Sequence, residues 1–306
     1  MFGSHFLFWI GFSIIVIIMM YIDIYVTDHR TNRITLKQSI FWSIIWISIA
    51  LIFNLAIVLF MEDGFNLGMQ FFSAYIVEKS LSVDNLFVFL MIFKVMNISE
   101  ANQPHILKWG IISAIVMRII FIIAGVALMH LFHPIIYIFS ILLFYASYHI
   151  AFGEEQTINT ETSKILLFFK RVFHYQPDYK GKKFFWMKNK LLYITPLFLT
   201  LALIEISDLM FAIDSIPAVL AISTDPFIAI TSNIFAILGL RALYFVVAGI
   251  TEKFYLLKYG VALILAFIGV KMGLTDIYPI PTLASLIFIS ISLSLSIILS
   301  LIIKKK

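Results

Sequence analysis

The chain has 306 residues, 62% of them hydrophobic and 13% charged, with a formal net charge of +5 and no cysteine. A soluble domain is about 45–50% apolar and about 25% charged, so a globule solvated only by water is excluded. Disulfides, thiolate metal sites and thiol redox chemistry are excluded as well, and the positive charge is not a nucleic-acid signature because it is gathered in a few loops and the C-terminal tail.

An apolar helix needs about 20 residues to cross the hydrocarbon core. In chain order the spans fall at 5–22, 40–60, 68–93, 109–129, 133–152, 192–216, 227–250, 257–274 and 283–303. No Lys or Arg precedes the first stretch, and Tyr21-Ile22-Asp23 follows it in place of a small-residue cleavage site, so it reads as a retained span. The third is long, which suggests tilt or a break. The seventh and eighth are the least cleanly separated. The expected fold class is all-α: a polytopic transmembrane bundle of about nine spans, forming one integral membrane domain over 1–306 with a basic loop at 153–191 inside it.

Loop charges orient the bundle. Arg30, Arg33 and Lys37 lie after span one, Lys94 and Lys108 after span three, eight Lys or Arg between Lys164 and Lys190 after span five, Lys253 and Lys258 after span seven, and Lys304–Lys306 at the end. The intervening loops carry none. Basic residues favour the cytoplasmic side, so the N-terminus is expected outside and the C-terminus inside, in a plasma (inner) membrane. Within the long loop, Ser163–Tyr175 mixes bulky apolar and basic residues and could lie in the headgroup plane. The plainer reading is a basic loop that obeys the topology rule.

Charges inside the spans carry the functional signal. Lys79, Arg118 and Arg241 are joined by Glu78, Asp84, Glu205, Asp208 and Asp214, while Lys271 sits near a span end where it can snorkel. Each charge at the membrane centre costs roughly 2.5–3.5 kcal/mol on insertion scales, an expense that implies function. Glu78 and Asp84 in EKSLSVDNLF have the same spacing as Asp208 and Asp214 in DLMFAIDSIP, and each pair ends in Asp followed by Asn85 or Ser215. Arg118 and Arg241 then open similar apolar runs in the following spans. This is a weak internal repeat whose copies cross the membrane in opposite senses, the construction of many secondary transporters, with the site at the midplane.

A rise of about 1.5 Å per residue puts Glu78, Glu205 and Asp208 near mid-depth, Asp84 toward the cytoplasm and Asp214 toward the outside. Residues six apart lie about 120° apart on an ideal helix, so both acids of a pair face one cavity only if the helix deforms. Pro217 offers a cause in span six; span three has none between Gly68 and Asp84.

The candidate metal ligands are Glu78, Asp84, Asn85, Glu205, Asp208 and Asp214, with Arg118, Arg241, Ser82 and Ser215 as gating or charge-balancing groups. Carboxylates, an amide carbonyl and hydroxyls are hard oxygen ligands, suited to Mg²⁺, Ca²⁺ or Mn²⁺. Five ionised acids against Lys79, Arg118 and Arg241 leave two negative charges, which one divalent cation would cancel. The alternative is that both arginines simply pair with acids and lock helices together. The seven His suggest interfacial packing, and Asp225-Pro226 a turn before span seven. No Walker loop, nucleophile elbow or HExxH motif is present, so neither an ATP-driven pump nor an enzyme is expected.

The stretches YIVEKSLSVDNLFVF (75–89), EISDLMFAIDSIPAVLAISTDPFIAITSNIFAILGLRALYF (205–245) and LKYGVALILAFIGVKM (257–272) resemble the TerC family of integral membrane proteins, which includes Alx-type proteins. The likeness covers Glu78, Ser80, Ser82, Asp84, Asn85, Arg118, Glu205, Asp208, Asp214, Ser215, Pro217, Asp225, Pro226, Asn233 and Arg241. The resemblance implies a bacterial protein, with manganese efflux for several members and tellurite resistance, alkaline or envelope stress, or metal supply to exported proteins for others. It yields two expectations. One is a secondary transporter with Mn²⁺ as cargo, no resident cofactor and protons as a candidate counter-ion. The other is a membrane platform without transport of its own, acting through the 153–191 loop. A passive cation channel would differ from the first in needing no counter-ion gradient.

Overall fold

The computed structural model describes residues 2–23, 35–152, 173–175, 181–188, 191–250, 256–278 and 280–302. Each predicted span coincides with a helix or a helix pair. α1 covers Phe2–Tyr21, α2 Leu36–Phe60, α3 Gly64–Val95, α4 Gln103–Leu131 and α5 Ile135–Phe152; α6 follows at Pro196–Ile222, α7 at Pro226–Ile237, α8 at Leu240–Ile250, α9 at Leu257–Gly273 and α10 at Thr282–Ile302. Among them α2, α4, α5, α6 and α10 are long and apolar enough to cross a membrane, and α7 with α8 passes as one broken span. α3 has 32 residues, about 48 Å of helix against a hydrocarbon core of about 30 Å, so it too can cross with tilt.

Local chemistry sets the boundaries. Thr35 and Gln38 form a reciprocal capping box at the start of α2. The Asp225 carboxylate accepts from the backbone N–H groups of Phe227 and Ile228, and Pro226 opens α7, which makes the predicted turn a helix cap. α6 continues through Pro217 to Ile222.

The break falls instead within predicted span seven, between α7 and α8, which bend by 44°. Gly239 there has φ +84°, and a Cβ would come within 2.5 Å of the Trp46 ring. Only glycine meets both conditions without strain.

α7 is buried along its length from Phe227 to Ile237, packed against α1, α2, α3 and α4. Phe235 is its hub: Phe53 of α2 lies 4.9 Å away, Phe12 of α1 5.7 Å and Phe71 of α3 6.1 Å, centroid to centroid. α4 and α6 approach so closely that a Cβ at Gly125 would stand 2.7 Å from Leu220 Cδ1. A second group pairs α5 with α9, where Ser140 and Ser147 hydroxyls donate to the Gly269 and Ala262 carbonyls. In lipid such interhelical bonds contribute about 0.6–2 kcal/mol each. Ile44, Ile52, Leu55 and Leu59 of α2 and Ile287, Ile291, Leu295 and Ile298 of α10 point outward. In water this would be a large exposed apolar surface; in a bilayer it is solvated by acyl chains.

Two expectations are refined. Part of the basic loop forms a small sheet of β1 (His174–Tyr175), β2 (Phe185–Lys188) and β3 (Leu191–Ile194) in the order β1-β3-β2, so the helix predicted from residue 192 begins at Pro196. The headgroup-plane stretch at 163–175 lies outside the described residues except for 173–175. Lys271, expected to snorkel, is buried in the last turn of α9.

Candidate charge-relay site

α3, α4, α6 and α7 enclose a polar centre within the apolar bundle. Arg118 of α4 is 1% exposed. Its Nη1 lies 2.5 Å from Glu78 Oε1 of α3 and donates to Asn233 Oδ1 of α7 at 3.0 Å, while Nη2 lies 4.0 Å from Asp208 Oδ1 of α6. The Asn233 amide donates in turn to the Ala229 carbonyl, which fixes its oxygen toward the guanidinium. One cation thus gathers groups from three neighbouring helices. Such a buried pair is costly to assemble and more costly to break, because either partner alone would be an uncompensated charge.

The network leaves acceptors unused. Glu78 is fully buried, and its Oε2 has no hydrogen-bond partner among the described residues; the same is true of Asp208 Oδ2 and Ser215 Oγ. Native interiors rarely leave such groups bare. Beside it, half-buried Glu205 lies one turn before Asp208 and accepts a short hydrogen bond from Ser113 of α4. Lys79 of α3 donates to the Ala236 carbonyl at the end of α7.

Arg241 stands apart. It opens α8 beyond the break and binds Asp23 at the end of α1, through its carboxylate at 3.4 Å and through its backbone carbonyl. Met20, Asp23, Lys108 and Gly239 line a small cavity there.

Of the predicted ligands, Glu78 and Asp208 meet at Arg118, with Glu205 beside Asp208 on α6. Ser82 and Asn85 are buried on α3. Asp84 and Asp214 belong to α3 and α6, but their side chains lie outside the described residues. Among the described residues no three His, Cys, Asp or Glu side chains form one metal cluster. Among the described side chains of the expected set, Glu78 and Asp208 gather at Arg118. Asn233, Ser113 and Asp23 were not predicted as site residues. Asp23 had a signal, an acid abutting an apolar span; Ser113 had none.

A second polar cluster ties two turns together. Tyr137 donates to Asp276 Oδ2 at 2.7 Å, and His133 Nε2 lies 3.0 Å from the same oxygen. These bonds hold the exposed Asp276 carboxyl below the usual carboxylate range.

A helical membrane bundle with an arginine–carboxylate network closed inside it is the class of protein these features define. Residues 63–306 match the model of the integral membrane protein TerC family. The chain belongs to that family. It is 41% identical over 294 residues to the membrane protein STKORF319 of Myxococcus xanthus, covering 96% of this chain and 92% of that one. It is 42% identical over 287 residues to proteins of Shigella flexneri and Escherichia coli K12 named as candidate membrane-bound redox modulators, Alx, covering 92% of this chain and 90% and 89% of theirs. No solved structure matches the chain.

Proposed function

We propose that this protein is a secondary transporter that exports divalent cations, Mn²⁺ foremost, from the bacterial cytoplasm across the inner membrane. The observation that carries this reading is the pair of buried carboxylates, Glu78 and Asp208, which both lean on one guanidinium and each have an oxygen that meets no donor among the described residues. Arg118 then acts as a tethered stand-in for the cargo. A dication bringing two charges outcompetes the single charge of Arg118 for the carboxylates, and the guanidinium keeps them compensated once the ion has left.

In this reading Mn²⁺ enters past Asp84, is held by Glu78, Glu205 and Asp208 with Asn85 as a neutral oxygen ligand, and leaves past Asp214. Ser82 and Ser215 complete the oxygen lining, and Arg241 balances charge at the break. Hard oxygen donors suit this ion. Moving a dication outward against an inside-negative potential costs about 4.6 kcal/mol per 100 mV. Uptake of protons onto the same carboxylates supplies it. The distribution of Lys and Arg among the loops supports an N-terminus outside and a C-terminus in the cytoplasm.

The test is Mn²⁺ flux in proteoliposomes containing this protein alone, under an imposed proton gradient. Transport that collapses in E78Q and D208N supports the reading. Liposomes no more permeable to Mn²⁺ than empty ones overturn it.

A second reading is favoured by the close Arg118–Glu78 contact: the network locks helices of a platform that assembles partners in tellurite or envelope stress or in metal supply to exported proteins. Under it, E78Q and D208N matter only through stability, and deletion within 153–191 abolishes the phenotype. Any redox role of the kind in the relatives' name would be indirect, since the chain has no cysteine.

A further inference from the structure

The β2–β3 hairpin is fastened to the bundle at one end and exposed at the other. Phe184, just before β2, stacks on His105 of α4 at 4.9 Å and meets the Trp109 ring edge-on at 6.4 Å, centroid to centroid. Phe185 packs against Phe198 in the first turn of α6 at 4.7 Å. Its cross-strand partner Ile194 is fully buried. Thr195 closes the join, donating its hydroxyl to the Lys183 carbonyl at 2.8 Å and its N–H to the Phe184 carbonyl at 3.0 Å. Side chains alternate faces along a strand, so the next pair on the Phe185–Ile194 face is Met187 and Leu192. These two are 70% and 46% exposed. Leu191, in the last pair of the hairpin, is exposed as well.

In sequence, the charge around this apolar end is of one sign. Residues 179–204 contain Lys180, Lys182, Lys183, Lys188 and Lys190 and no acid. Lys182 and Lys183 are exposed, and the Lys183 ammonium lies over the Trp186 ring at 5.1 Å. α6, long and apolar enough to cross a membrane, begins at Pro196. Leu192 is four residues away, a chain reach of at most about 14 Å. Aromatic side chains gather at this level, Trp109 on α4 and Phe184, Phe185, Trp186 and Tyr193 on the hairpin, as they do where a bundle meets headgroups. We infer that the Met187–Leu192 end of the hairpin is a docking surface for anionic phospholipid, set among the headgroups of the leaflet at which α6 begins. The apolar pair enters the acyl boundary while the lysines meet the lipid phosphates. Phe184 and Phe185 hold the hairpin to α4 and α6, so lipid gripped at its end bears on the two helices that carry Ser113, Arg118, Glu205 and Asp208. The surface goes beyond the transport reading and holds whatever the bundle carries.

The chain has no cysteine, so Met187→Cys carries a single nitroxide label. The labelled full chain is placed one copy per nanodisc, in phosphatidylglycerol or in phosphatidylcholine. Electron paramagnetic resonance then compares the label's collisions with oxygen, which concentrates among acyl chains, and with a water-soluble nickel chelate. In phosphatidylglycerol oxygen should exceed nickel, and in phosphatidylcholine nickel access should rise severalfold. Adding Lys182→Gln and Lys183→Gln should move the phosphatidylglycerol result toward the phosphatidylcholine one, since each lysine at an anionic surface is worth roughly fivefold in binding. If Met187→Cys does not accumulate, Leu192→Cys on the paired strand decides, with the same result required. Nickel reaching the label as freely in phosphatidylglycerol as in phosphatidylcholine overturns the proposal. So does a label shielded from both reagents, which would mean that protein covers the face. Shielding that appears only in discs holding two copies would assign the face to a contact between chains, and would overturn it too.

Discussion

Arg118 and Arg241 begin similar apolar runs in corresponding spans, yet the molecule uses them differently. Arg118 lies within an unbroken helix and meets side chains of three others at the polar centre. Arg241 sits just beyond a helix break and is absorbed by the end of α1, through the Asp23 carboxylate and carbonyl. A guanidinium that caps a helix end is a fastener. One that stands between two buried carboxylates from different helices joins those helices at the polar centre. The backbone gives the two arginines different settings: α4 is one continuous helix, whereas predicted span seven is divided at Leu238-Gly239.

The largest expected effect separates these roles. Replacing Arg118 with Ala strands Glu78 in an apolar interior and should cost about 3–5 kcal/mol, read as loss of folded yield or of melting temperature. Adding E78Q should restore much of it, because the pair is then gone rather than broken. R241A should cost clearly less; equal losses would erase the distinction between the arginines. Next is Gly239→Ala, which meets both a positive φ and the Trp46 ring and should cost about 1–3 kcal/mol. Adding W46A relieves the clash but not the φ, so a double-mutant cycle should show partial recovery. Complete recovery would mean that the backbone conformation costs nothing.

Ser113→Ala removes the donor to Glu205 and should cost about 1 kcal/mol, with flux falling more than stability if Glu205 holds cargo. The smallest effect belongs to Asp276. Its carboxyl is held below the ordinary carboxylate range by Tyr137 and His133. It therefore contributes stability that is complete above the unfolded carboxylate value and is lost as pH falls through the lower folded one. D276N should remove this slight acid-side slope in melting against pH, and leave flux at neutral pH unchanged.

The fold was largely legible because lipid imposes one rule, a run of apolar residues long enough to cross, and each run so found lies on a helix or a helix pair. The break in span seven has no proline to announce it, because residues 227–250 contain none. A proline removes one bond, and α6 continues past Pro217 to Ile222. Gly239 looked innocuous, but Trp46, nearly two hundred positions earlier, leaves no room for a Cβ. The meeting of Glu78, Asp208 and Arg118 was half legible: unaffordable charges at mid-depth must find one another, yet sequence spacing could not say that the arginine would stand between the acids. Asn233 had a hint in its family position, whereas the bond from Lys79 to the α7 end had no sequence signal, because its acceptor is backbone.

The most direct test of the exchangeable counter-ion is Mn²⁺ binding to the purified protein, followed by loss of the free-ion signal in electron paramagnetic resonance. The account predicts one saturable site per chain in the native protein, lost in D208N and retained in D276N. Native, D208N and D276N proteins that remove Mn²⁺ equally, or not at all, would contradict it.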